Sequence, residues 1–470
     1  MQLTQRLFIV LFSISLSLNA QYTKLLDFDW TTTGANPTGS LYYDGTDLYG
    51  LTGYGGMNGQ GVLFKVKPDG TGFTKLFEFS GTLNGSNPLG SLMYDGTYFY
   101  GTTNQGGTNN FGTIFKIKKD GSGFTKLLDF DGTNNGRLPR GSLISDGTYL
   151  YGTTGYNGTN QGSVFKIKLD GSGYTTILDF NTTNGSIPNG SVVSDGIYLY
   201  GMTYQGGTSN GQNDGGVLYK VKTDGSSYAK LIDFTGPNGK TPTGSLVFDG
   251  TFLYGMTKNG GTFNQSGIIF KIKPDGTSFQ KLLDFEFAKG ANPYGDLLFD
   301  GTYLYGLTHT GGNNVTGNIL GTMFRINKDG TNFIKLFDFD GPINGAHPQG
   351  HLISDGTFLF GMTTNGGANN SGVLFKYAIN AIQNSVNVYK SVPEYKIFPI
   401  PASSFFNVEL SEYCNGCRVQ VINLFGEEVL NEVLQSTNSI INTKQLNTGL
   451  YFLNIIRNGE TIATKKVLIE

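Results

Sequence analysis

The sequence predicts an all-β protein, a seven-bladed β-propeller followed by a small C-terminal β-sandwich. Three observations lead to this fold class. Glycine supplies 71 of the 470 residues and charged side chains only 14%, which favours turns over helices. A unit of roughly 50 residues recurs seven times. Each copy contains four short β-like runs, which is the content of one propeller blade.

Residues 1–20 are expected to be a secretory signal peptide rather than part of the fold. Arg6 precedes the apolar run Leu7–Leu18, and Ala20 precedes polar residues. A membrane-spanning helix needs about 20 apolar residues, whereas a shorter run that ends near a small residue is typical of a signal peptide. We expect cleavage after Ala20 and no transmembrane segment later in the chain.

Residues 21–380 hold the seven copies of the repeat. Each copy opens with an apolar run that ends in an acid and a phenylalanine, and a proline follows in every copy. Successive acids are 51, 51, 50, 54, 51 and 54 residues apart. They are Asp27, Glu78, Asp129, Asp179, Asp233, Asp284 and Asp338.

Each copy is predicted to form one antiparallel blade. In the second copy we expect strands at Thr74–Phe79, Ser91–Tyr94, Tyr98–Thr103 and Thr113–Lys118. Asp-Gly pairs follow the second and fourth runs and predict tight hairpins. A parallel β-helix, the alternative repeat fold, has few such hairpins.

The two ends of the array predict a closed ring. After Lys376 the seventh copy lacks its last strand, and the segment Tyr22–Phe28 at the mature N-terminus matches that strand. We expect this segment to complete the seventh blade as its outer strand. Such closure removes an unpaired sheet edge.

Two recurring aromatic positions are expected to pack neighbouring blades. From centre to rim we name the strands of a blade a to d. The strand-b set is Tyr49, Tyr100, Tyr151, Tyr200, Tyr254, Tyr305 and Phe360. The strand-c set is Phe64, Phe115, Phe165, Tyr219, Phe270, Phe324 and Phe375. The glycine after each strand-b aromatic, such as Gly101, is expected to admit a neighbouring backbone.

The recurring pattern SDGTYLYGTT…GG…GxxFKIKxDGSGFTKLLDF resembles the GloVer tandem repeat of exported bacterial proteins. The resemblance covers roughly residues 22–377. It implies a propeller-like array and no agreed biochemical activity.

From Tyr395 onward the repeat gives way to alternating runs with glycines at turns. This pattern predicts a β-sandwich over residues 395–470, after a linker at residues 381–394. The segment resembles the type A C-terminal sorting domain of the type IX secretion system. The matching residues are Pro399, Pro401, Asn423–Gly426, Gly449, Leu450, Tyr451, Lys465 and Lys466. Family members usually carry asparagine between the prolines, where this chain has Ile400.

The second resemblance implies two-step export. It implies that the type IX secretion machinery is a partner and that the protein is secreted or lies on the outer-membrane surface. The net charge of −2 offers no broad basic field for nucleic acid or anionic lipid.

Residues that could carry chemistry are few. Cys414 and Cys417 have the spacing C-x2-C. A local disulfide is favoured in an oxidising compartment, free thiols are the alternative, and a metal site would need further thiol or imidazole ligands nearby. We expect His309, His347 and His351 to face solvent. The repeated acids are expected to cap turns and edge strands, because one acid per blade does not converge on one cation.

The sequence therefore predicts a non-catalytic protein without metal or cofactor. It lacks the G-x-S-x-G, Walker and H-E-x-x-H motifs. A sialidase-like site would need an arginine cluster for the substrate carboxylate, and the array contains Arg137, Arg140 and Arg325.

One face of the predicted ring is suited to binding. In a four-stranded antiparallel blade the b–c and d–a connections share a face, and here those connections are long and variable. Aromatic residues in them suit an uncharged polymer such as polysaccharide; alternatively, they pack their own loops. The candidates for ligand contact are Trp30, Tyr54, Tyr156, Tyr204 and Tyr294.

The leading functional hypothesis is an exported recognition module that binds extracellular glycan or a surface protein. One alternative is a carbohydrate-active lyase or hydrolase whose acids lie in the loops. The other is a structural surface protein that binds nothing.

Deleting residues 395–470 is expected to trap the repeat array in the periplasm, because the outer-membrane machinery would lose its recognition element. Immunoblots of periplasmic, surface and culture fractions measure the distribution. Normal secretion of the deletion variant would contradict the export hypothesis.

Overall fold

The computed structural model describes residues 21–208, 215–262, 266–312, 320–379, 395–410, 416–423, 427–457 and 460–470. The predicted signal peptide and linker lie outside these residues. The chain divides into two compact units, Met1–Ile379 and Asn380–Glu470. Both are built from β-strands, and the described residues contain no helix.

The first unit contains seven four-stranded antiparallel sheets, one for each copy of the repeat. Blades 1 to 3 comprise β2 (Tyr42–Tyr43), β3 (Leu48–Thr52), β4 (Val62–Val66), β5 (Thr74–Glu78), β6 (Met93–Tyr94), β7 (Tyr98–Thr103), β8 (Thr113–Lys118), β9 (Thr125–Asp129), β10 (Ile144–Ser145), β11 (Tyr149–Thr154), β12 (Ser163–Lys168) and β13 (Thr175–Asp179).

Blades 4 to 7 continue the same order. They comprise β14 (Val193–Ser194), β15 (Tyr198–Thr203), β16 (Val217–Lys222), β17 (Ala229–Asp233), β18 (Val247–Phe248), β19 (Leu253–Thr257), β20 (Ile268–Ile272), β21 (Gln280–Asp284), β22 (Leu298–Phe299), β23 (Tyr303–Thr308), β24 (Thr322–Asn327), β25 (Ile334–Asp338), β26 (Ile353–Ser354), β27 (Phe358–Thr363), β28 (Val373–Ala378) and β1 (Tyr22–Asp27).

The N-terminal strand closes the ring as predicted. β1 pairs antiparallel with β28, from Tyr22 opposite Tyr377 to Asp27 opposite Val373. The Tyr22 ring also stacks on Phe337 of blade 6, with centroids 4.2 Å apart. The outer strand of blade 7 therefore joins the start of the chain to its last two repeats.

The recurring aromatics of strands b and c form the core between blades. Their side chains are at most 4% exposed, and burial of one such ring stabilises the fold by roughly 1.5–3 kcal/mol. The Tyr49 ring of blade 1 lies 4.9 Å from the Phe99 ring of blade 2. The predicted core positions are confirmed.

The role expected for the strand-b glycine was wrong. A Cβ atom on Gly101 would lie 2.6 Å from the tip of the Phe115 ring in the same blade. Glycine is required because the tip of the strand-c aromatic, and not a neighbouring backbone, lies nearest to this position.

The hairpin between strands a and b is held by its aspartate. In blade 2, Asp95 accepts the backbone N–H groups of Thr97 and Tyr98, both at 2.7 Å. Its second oxygen accepts the Tyr100 hydroxyl at 2.9 Å. The turn and the strand-b aromatic thus stabilise each other, which explains why tyrosine recurs at this core position.

Strand a is shorter than predicted, with Met93–Tyr94 in place of Ser91–Tyr94. The Ser91 N–H donates at 2.7 Å to the Ser142 hydroxyl of the next blade. The inner end of the strand is therefore bonded between blades and not within the sheet.

The second unit is a two-sheet sandwich, as predicted. One sheet has the order β29 (Tyr395–Phe398), β30 (Phe405–Leu410) and β33 (Asn438–Asn442). The other has the order β32 (Glu428–Val433), β31 (Cys417–Ile422), β34 (Gly449–Arg457) and β35 (Glu460–Ile469). Phe406, Val408, Val419 and Leu453 lie fully buried in its core. No helix among the described residues is long and apolar enough to cross a membrane.

Replacing Tyr151 with phenylalanine is expected to lower the free energy of unfolding by about 1 kcal/mol at pH 7. The substitution removes the hydrogen bond from Tyr151 to Asp146, which is 2.7 Å long. Burial raises the pKa of Asp146, but its hydrogen bonds outweigh burial and the net pKa is lowered. Its contribution is therefore present above the unfolded pKa of about 3.9 and fades as the pH falls below it.

Guanidinium denaturation at several pH values measures this effect. Blade 7 carries Phe360 at the same position, so phenylalanine packs there without strain. The reciprocal variant Phe360→Tyr is expected to gain stability at pH 7 through Asp355. Equal stability of Tyr151→Phe and the parent protein at pH 7 would refute the proposed role of the hydroxyl.

Candidate functional site

The strand order places all long connections on one face of the ring, which we call the long-loop face. In blade 2 strands a and b are joined by three residues, 95–97. In contrast, residues 104–112 join strands b and c, and residues 130–143 lead from strand d to the next blade. The long-loop face therefore offers the larger and more variable surface.

Glycines at the start of strand a meet around the axis of the ring. A Cβ atom on Gly39 would lie 2.6 Å from the carbonyl oxygen of Gly90, and one on Gly90 would lie 2.9 Å from that of Gly141. The contacts continue around the ring until Gly350 meets Gly39. The seven glycines are Gly39, Gly90, Gly141, Gly190, Gly244, Gly295 and Gly350.

The next residue forms a second ring of contacts, the serine ring. Ser40 N–H donates to the Ser91 hydroxyl at 2.8 Å, and Ser91, Ser142 and Ser191 continue the pattern. These groups line a central cavity of about 90 Å³. Each serine oxygen accepts a backbone N–H from the preceding blade, so the ring ties blades together at the axis.

Blades 6 and 7 interrupt the serine ring with Asp296 and His351. The His351 Nδ1 atom lies 3.3 Å from Asp296 Oδ2 and 2.7 Å from the Ser40 hydroxyl. Burial raises the pKa of Asp296, but His351 and the Ser245 N–H outweigh burial and the net pKa is lowered. Serine and aspartate contact the same imidazole nitrogen, whereas a hydrolytic triad uses both nitrogens.

One equivalent position in each of the seven blades borders the entrance of this cavity on the long-loop face. We call these seven residues the channel mouth. They lie between the recurring proline and the axial glycine of each blade. The channel mouth consists of Thr38, Leu89, Arg140, Asn189, Thr243, Tyr294 and Gln349. Its flanking residues are uniform, yet the mouth itself carries six residue types.

Of the five predicted contact residues, the structure brings Trp30 and Tyr54 together. Their rings are nearly parallel, at 9°, with centroids 6.1 Å apart. Trp30 is 48% exposed and Tyr54 43% exposed. The pair comes from two different long loops and forms a stepped aromatic surface that is open to solvent.

Tyr156 and Tyr204 lie on the b–c loops of blades 3 and 4. They therefore belong to other blades than the Trp30–Tyr54 pair. The guanidinium of Arg137 lies between the rings of Tyr156, at 5.4 Å, and Phe111, at 5.5 Å. The Tyr204 N–H donates to the Ile187 carbonyl at 3.0 Å. Both tyrosines are half-buried, so they also support their own loops.

Tyr294 belongs to a stacked column that includes two of the histidines. Its ring lies 4.7 Å from His309, which lies 4.6 Å from His347. The Lys258 Nζ atom also contacts Tyr294 and lies 4.6 Å from the centroid of its ring. Burial, reinforced by His347 and Lys258, lowers the pKa of His309 to about 4.

The prediction of solvent-facing histidines was therefore wrong. His309 and His347 pack in the column, and His351 lies in the central ring. Histidine recurs in no other blade, so a repeat-based argument gave no signal for these contacts. Among the described residues, no group of three or more histidine, cysteine or acidic side chains could hold a metal ion.

The repeated acids on strand d were predicted to cap turns and edge strands. In the structure most of them also form ion pairs. Six of the seven pair with a lysine three residues earlier, as Asp129 does with Lys126 at 2.7 Å. The pairs are Lys24–Asp27, Lys75–Glu78, Lys126–Asp129, Lys230–Asp233, Lys281–Asp284 and Lys335–Asp338. In blade 3 threonine replaces the lysine, and Asp179 has no such partner.

The sorting-motif residues lie in the second unit. Pro399 and Pro401 both follow cis peptide bonds at the end of β29, and the half-buried Gly449 begins β34. The Tyr451 hydroxyl donates to the Asn447 carbonyl at 2.9 Å. Lys465 and Lys466 lie on β35, and Gly426 lies outside the described residues.

The cysteine pair is described in part. Cys417 is buried and disulfide-bonded. Cys414, the second cysteine of the chain, lies outside the described residues.

Family models match almost the whole chain. Residues 10–212 and 211–396 match the Gloeobacter/Verrucomicrobia repeat, and residues 396–470 match the secretion system C-terminal sorting domain. No curated protein matches the sequence. Both resemblances predicted from the sequence are thus confirmed.

Solved structures with a similar strand arrangement are distant. An oligogalacturonate lyase from Vibrio parahaemolyticus is 12% identical with a TM-score of 0.48, over 76% of this chain and 93% of the lyase. A puromycin-hydrolyzing peptidase from Mycobacterium tuberculosis is 13% identical with a TM-score of 0.48, over 81% of this chain and 59% of the peptidase. A nidogen/laminin complex is 16% identical with a TM-score of 0.39, over 56% of this chain and 84% of that one. None of them assigns an activity to this chain.

Replacing Gly141 with alanine is expected to lower the free energy of unfolding by about 1–3 kcal/mol. A Cβ atom there would lie 2.7 Å from the Gly190 carbonyl oxygen, and that backbone is held by its own neighbours. Arg140→Ala is the matched control, because Arg140 is exposed at the adjacent position. Chemical denaturation measures both variants, and equal stabilities would contradict the axial role of the glycine.

Proposed function

Because the chain belongs to the Gloeobacter/Verrucomicrobia repeat family and ends in a type IX sorting domain, we propose that it is an exported, non-catalytic recognition module. It binds an extracellular polysaccharide through the long-loop face of the ring. The sorting tail delivers it to the cell surface or the medium.

The channel mouth carries this proposal. In a sevenfold repeat, positions that only pack the ring have the same environment in each blade and therefore keep the same residue type. The prolines and axial glycines on either side of the mouth follow this rule, whereas the mouth residues do not. Such variation is expected where each blade contacts a different part of an asymmetric ligand.

The chemistry of the face favours a neutral, hydroxyl-rich ligand. The mouth offers two threonine and two amide side chains together with one arginine, one tyrosine and one leucine. Amide and hydroxyl groups bond to uncharged hydroxyls, and exposed rings such as Trp30 and Tyr54 cover apolar sugar faces. With a net charge of −2, the chain has no strong field to attract a charged polymer.

The geometry at the axis supports binding rather than catalysis. Asp296, His351 and Ser40 form the one contiguous acid–imidazole–hydroxyl set that we find among the described residues of the central cavity. Their bonds converge on a single imidazole nitrogen, so no proton path leads from the serine through the ring to the aspartate.

Affinity electrophoresis of the purified full-length protein tests the proposal. Native gels would contain dextran, xylan, mixed-linkage β-glucan or galactomannan, and mobility would be compared with a gel that lacks polymer. We expect retardation by at least one neutral polymer. Trp30→Ala should weaken that binding roughly tenfold, a loss of about 1.4 kcal/mol, because it removes one ring of the exposed pair.

Two further variants separate recognition from folding. Tyr294→Thr introduces the residue that blades 1 and 5 already carry at the mouth, so we expect weaker binding with an intact ring. Ile197→Ala alters a residue that is 60% exposed on the opposite face and should leave binding unchanged. Uniform mobility in all polymer gels would overturn the proposal and direct attention to protein partners.

A further inference from the structure

Blade 3 departs from the other blades at the rim of the long-loop face. In the six other blades the strand-d acid is half-buried and bonded to a lysine. Thr176 occupies the lysine position in blade 3, and Asp179 is exposed. The repeat thus retains the carboxylate here but has lost the charge that neutralises it.

The backbone partner of the acid is also lost in blade 3. In blade 2 the Thr108 N–H and hydroxyl donate to Asp129 at 3.1 and 3.0 Å. In blade 3 the one hydrogen bond to the carboxylate from a described residue comes from Asn157 Nδ2, at 2.9 Å to Oδ1. Asp179 Oδ2 makes no hydrogen bond or ion pair with any residue that the structure describes.

A change in the b–c loop accounts for this difference. Blade 2 has the pair Gly106-Gly107 in its loop, and a Cβ atom on Gly107 would collide with the Asp129 carboxylate. In blade 3 the single residue Asn157 replaces the glycine pair, which makes the loop one residue shorter. Asn157 is held by Thr159 and by the Gln161 N–H, at 3.0 Å, and therefore fixes the carboxylate from one side.

Asp179 lines a cleft of about 610 Å³, which we call the blade-3 pocket. Ligand sites commonly measure about 300–1,000 Å³. Its polar lining includes Asn134, Asn157, Thr159, Thr176, Asp179 and Asn181. The pocket is thus large enough for a sugar unit and is lined by polar side chains from three loops and strand d.

The lining of the blade-3 pocket supplies several hydrogen-bonding groups. Asp179 Oδ2 is an acceptor, and the side-chain Nδ2 of Asn181 is a donor that bonds to no described residue. Thr176 adds a hydroxyl that can donate or accept. An acceptor, a donor and a hydroxyl within one cleft match the donor and acceptor pairs of neighbouring sugar hydroxyls.

We propose that the blade-3 pocket is a saccharide subsite in which Asp179 accepts hydrogen bonds from the hydroxyls of a neutral sugar unit. The inference rests on the proposed function and gives it a specific contact point. The unneutralised carboxylate repels uronate or sulfate groups, so the subsite excludes anionic polysaccharides. One carboxylate among amides is a poor calcium site, which needs six to eight oxygen ligands.

The natural repeat supplies a precise test variant. Thr176→Lys restores the residue that the other six blades carry and should pair with Asp179 without harming the fold. Asp179→Asn removes the charge and leaves the shape. We expect each variant to weaken retardation by the bound neutral polymer at least tenfold in affinity gels, with an unchanged thermal unfolding midpoint.

The matched control is Lys126→Thr in blade 2. It breaks the equivalent ion pair in a blade whose acid is also bonded to Thr108, so binding at the blade-3 pocket should not change. Polygalacturonate and alginate serve as anionic probes and should not retard the parent protein.

The outcomes separate the two proposals. Retardation of the parent protein that persists in both Thr176→Lys and Asp179→Asn would overturn the blade-3 subsite and leave the recognition function standing. Stronger retardation by the anionic polymers than by the neutral ones would also overturn the subsite. Absence of retardation by any polymer would overturn both, whereas selective loss in the two blade-3 variants would support both.

Discussion

The close approach of seven glycine backbones around one axis is the constraint on which the ring depends. Each axial glycine leaves no room for a side chain, because the carbonyl of the next blade occupies that space. The following N–H groups are drawn to the neighbouring serine hydroxyls, so strand a pairs within its own sheet over two residues. Farther from the axis the blades diverge, and the aromatics of strands b and c fill the widening gap. The tight contact at the axis therefore shortens strand a, and the aromatic core forms farther out.

Closure makes this arrangement cooperative in a way that an open array of repeats is not. In a solenoid the end repeats have one neighbour and need special caps. Here β1 comes from the start of the chain, pairs with β28 and stacks Tyr22 on blade 6. Each blade therefore has two neighbours, and an opening at one interface exposes aromatic surface on both sides. The ion pairs of strand d lie at the rim, where solvent weakens them, so the core and the axis carry most of the stability.

Repetition decided what could be predicted from the sequence. The seven blades, the closing strand and the buried aromatics followed from residues that recur, such as Tyr100 and Phe115, because recurrence reports a shared environment. The contacts of His309 and His351 were missed because they occur once, and no pattern marks a single residue as buried. The strand-b glycine was misassigned because a sequence does not show whether a ring or a backbone fills the space. Trp30 and Tyr54 were singled out as aromatics, but their stacking depends on the paths of two separate loops.

Because the blades are equivalent, each residue can be compared with the six residues at the same position in the other blades. A residue that differs from its six equivalents has been released from the packing that holds the others, or has acquired a contact that they lack. At the channel mouth the seven equivalent positions carry six residue types, which is consistent with a surface that meets an asymmetric ligand. In blade 3 two changes coincide, the lysine of strand d and the glycine pair of the facing loop. Either change alone would leave the carboxylate crowded or neutralised. Together they leave Asp179 exposed within a cleft and held from one side by Asn157, whereas the six other strand-d acids each pair with a lysine.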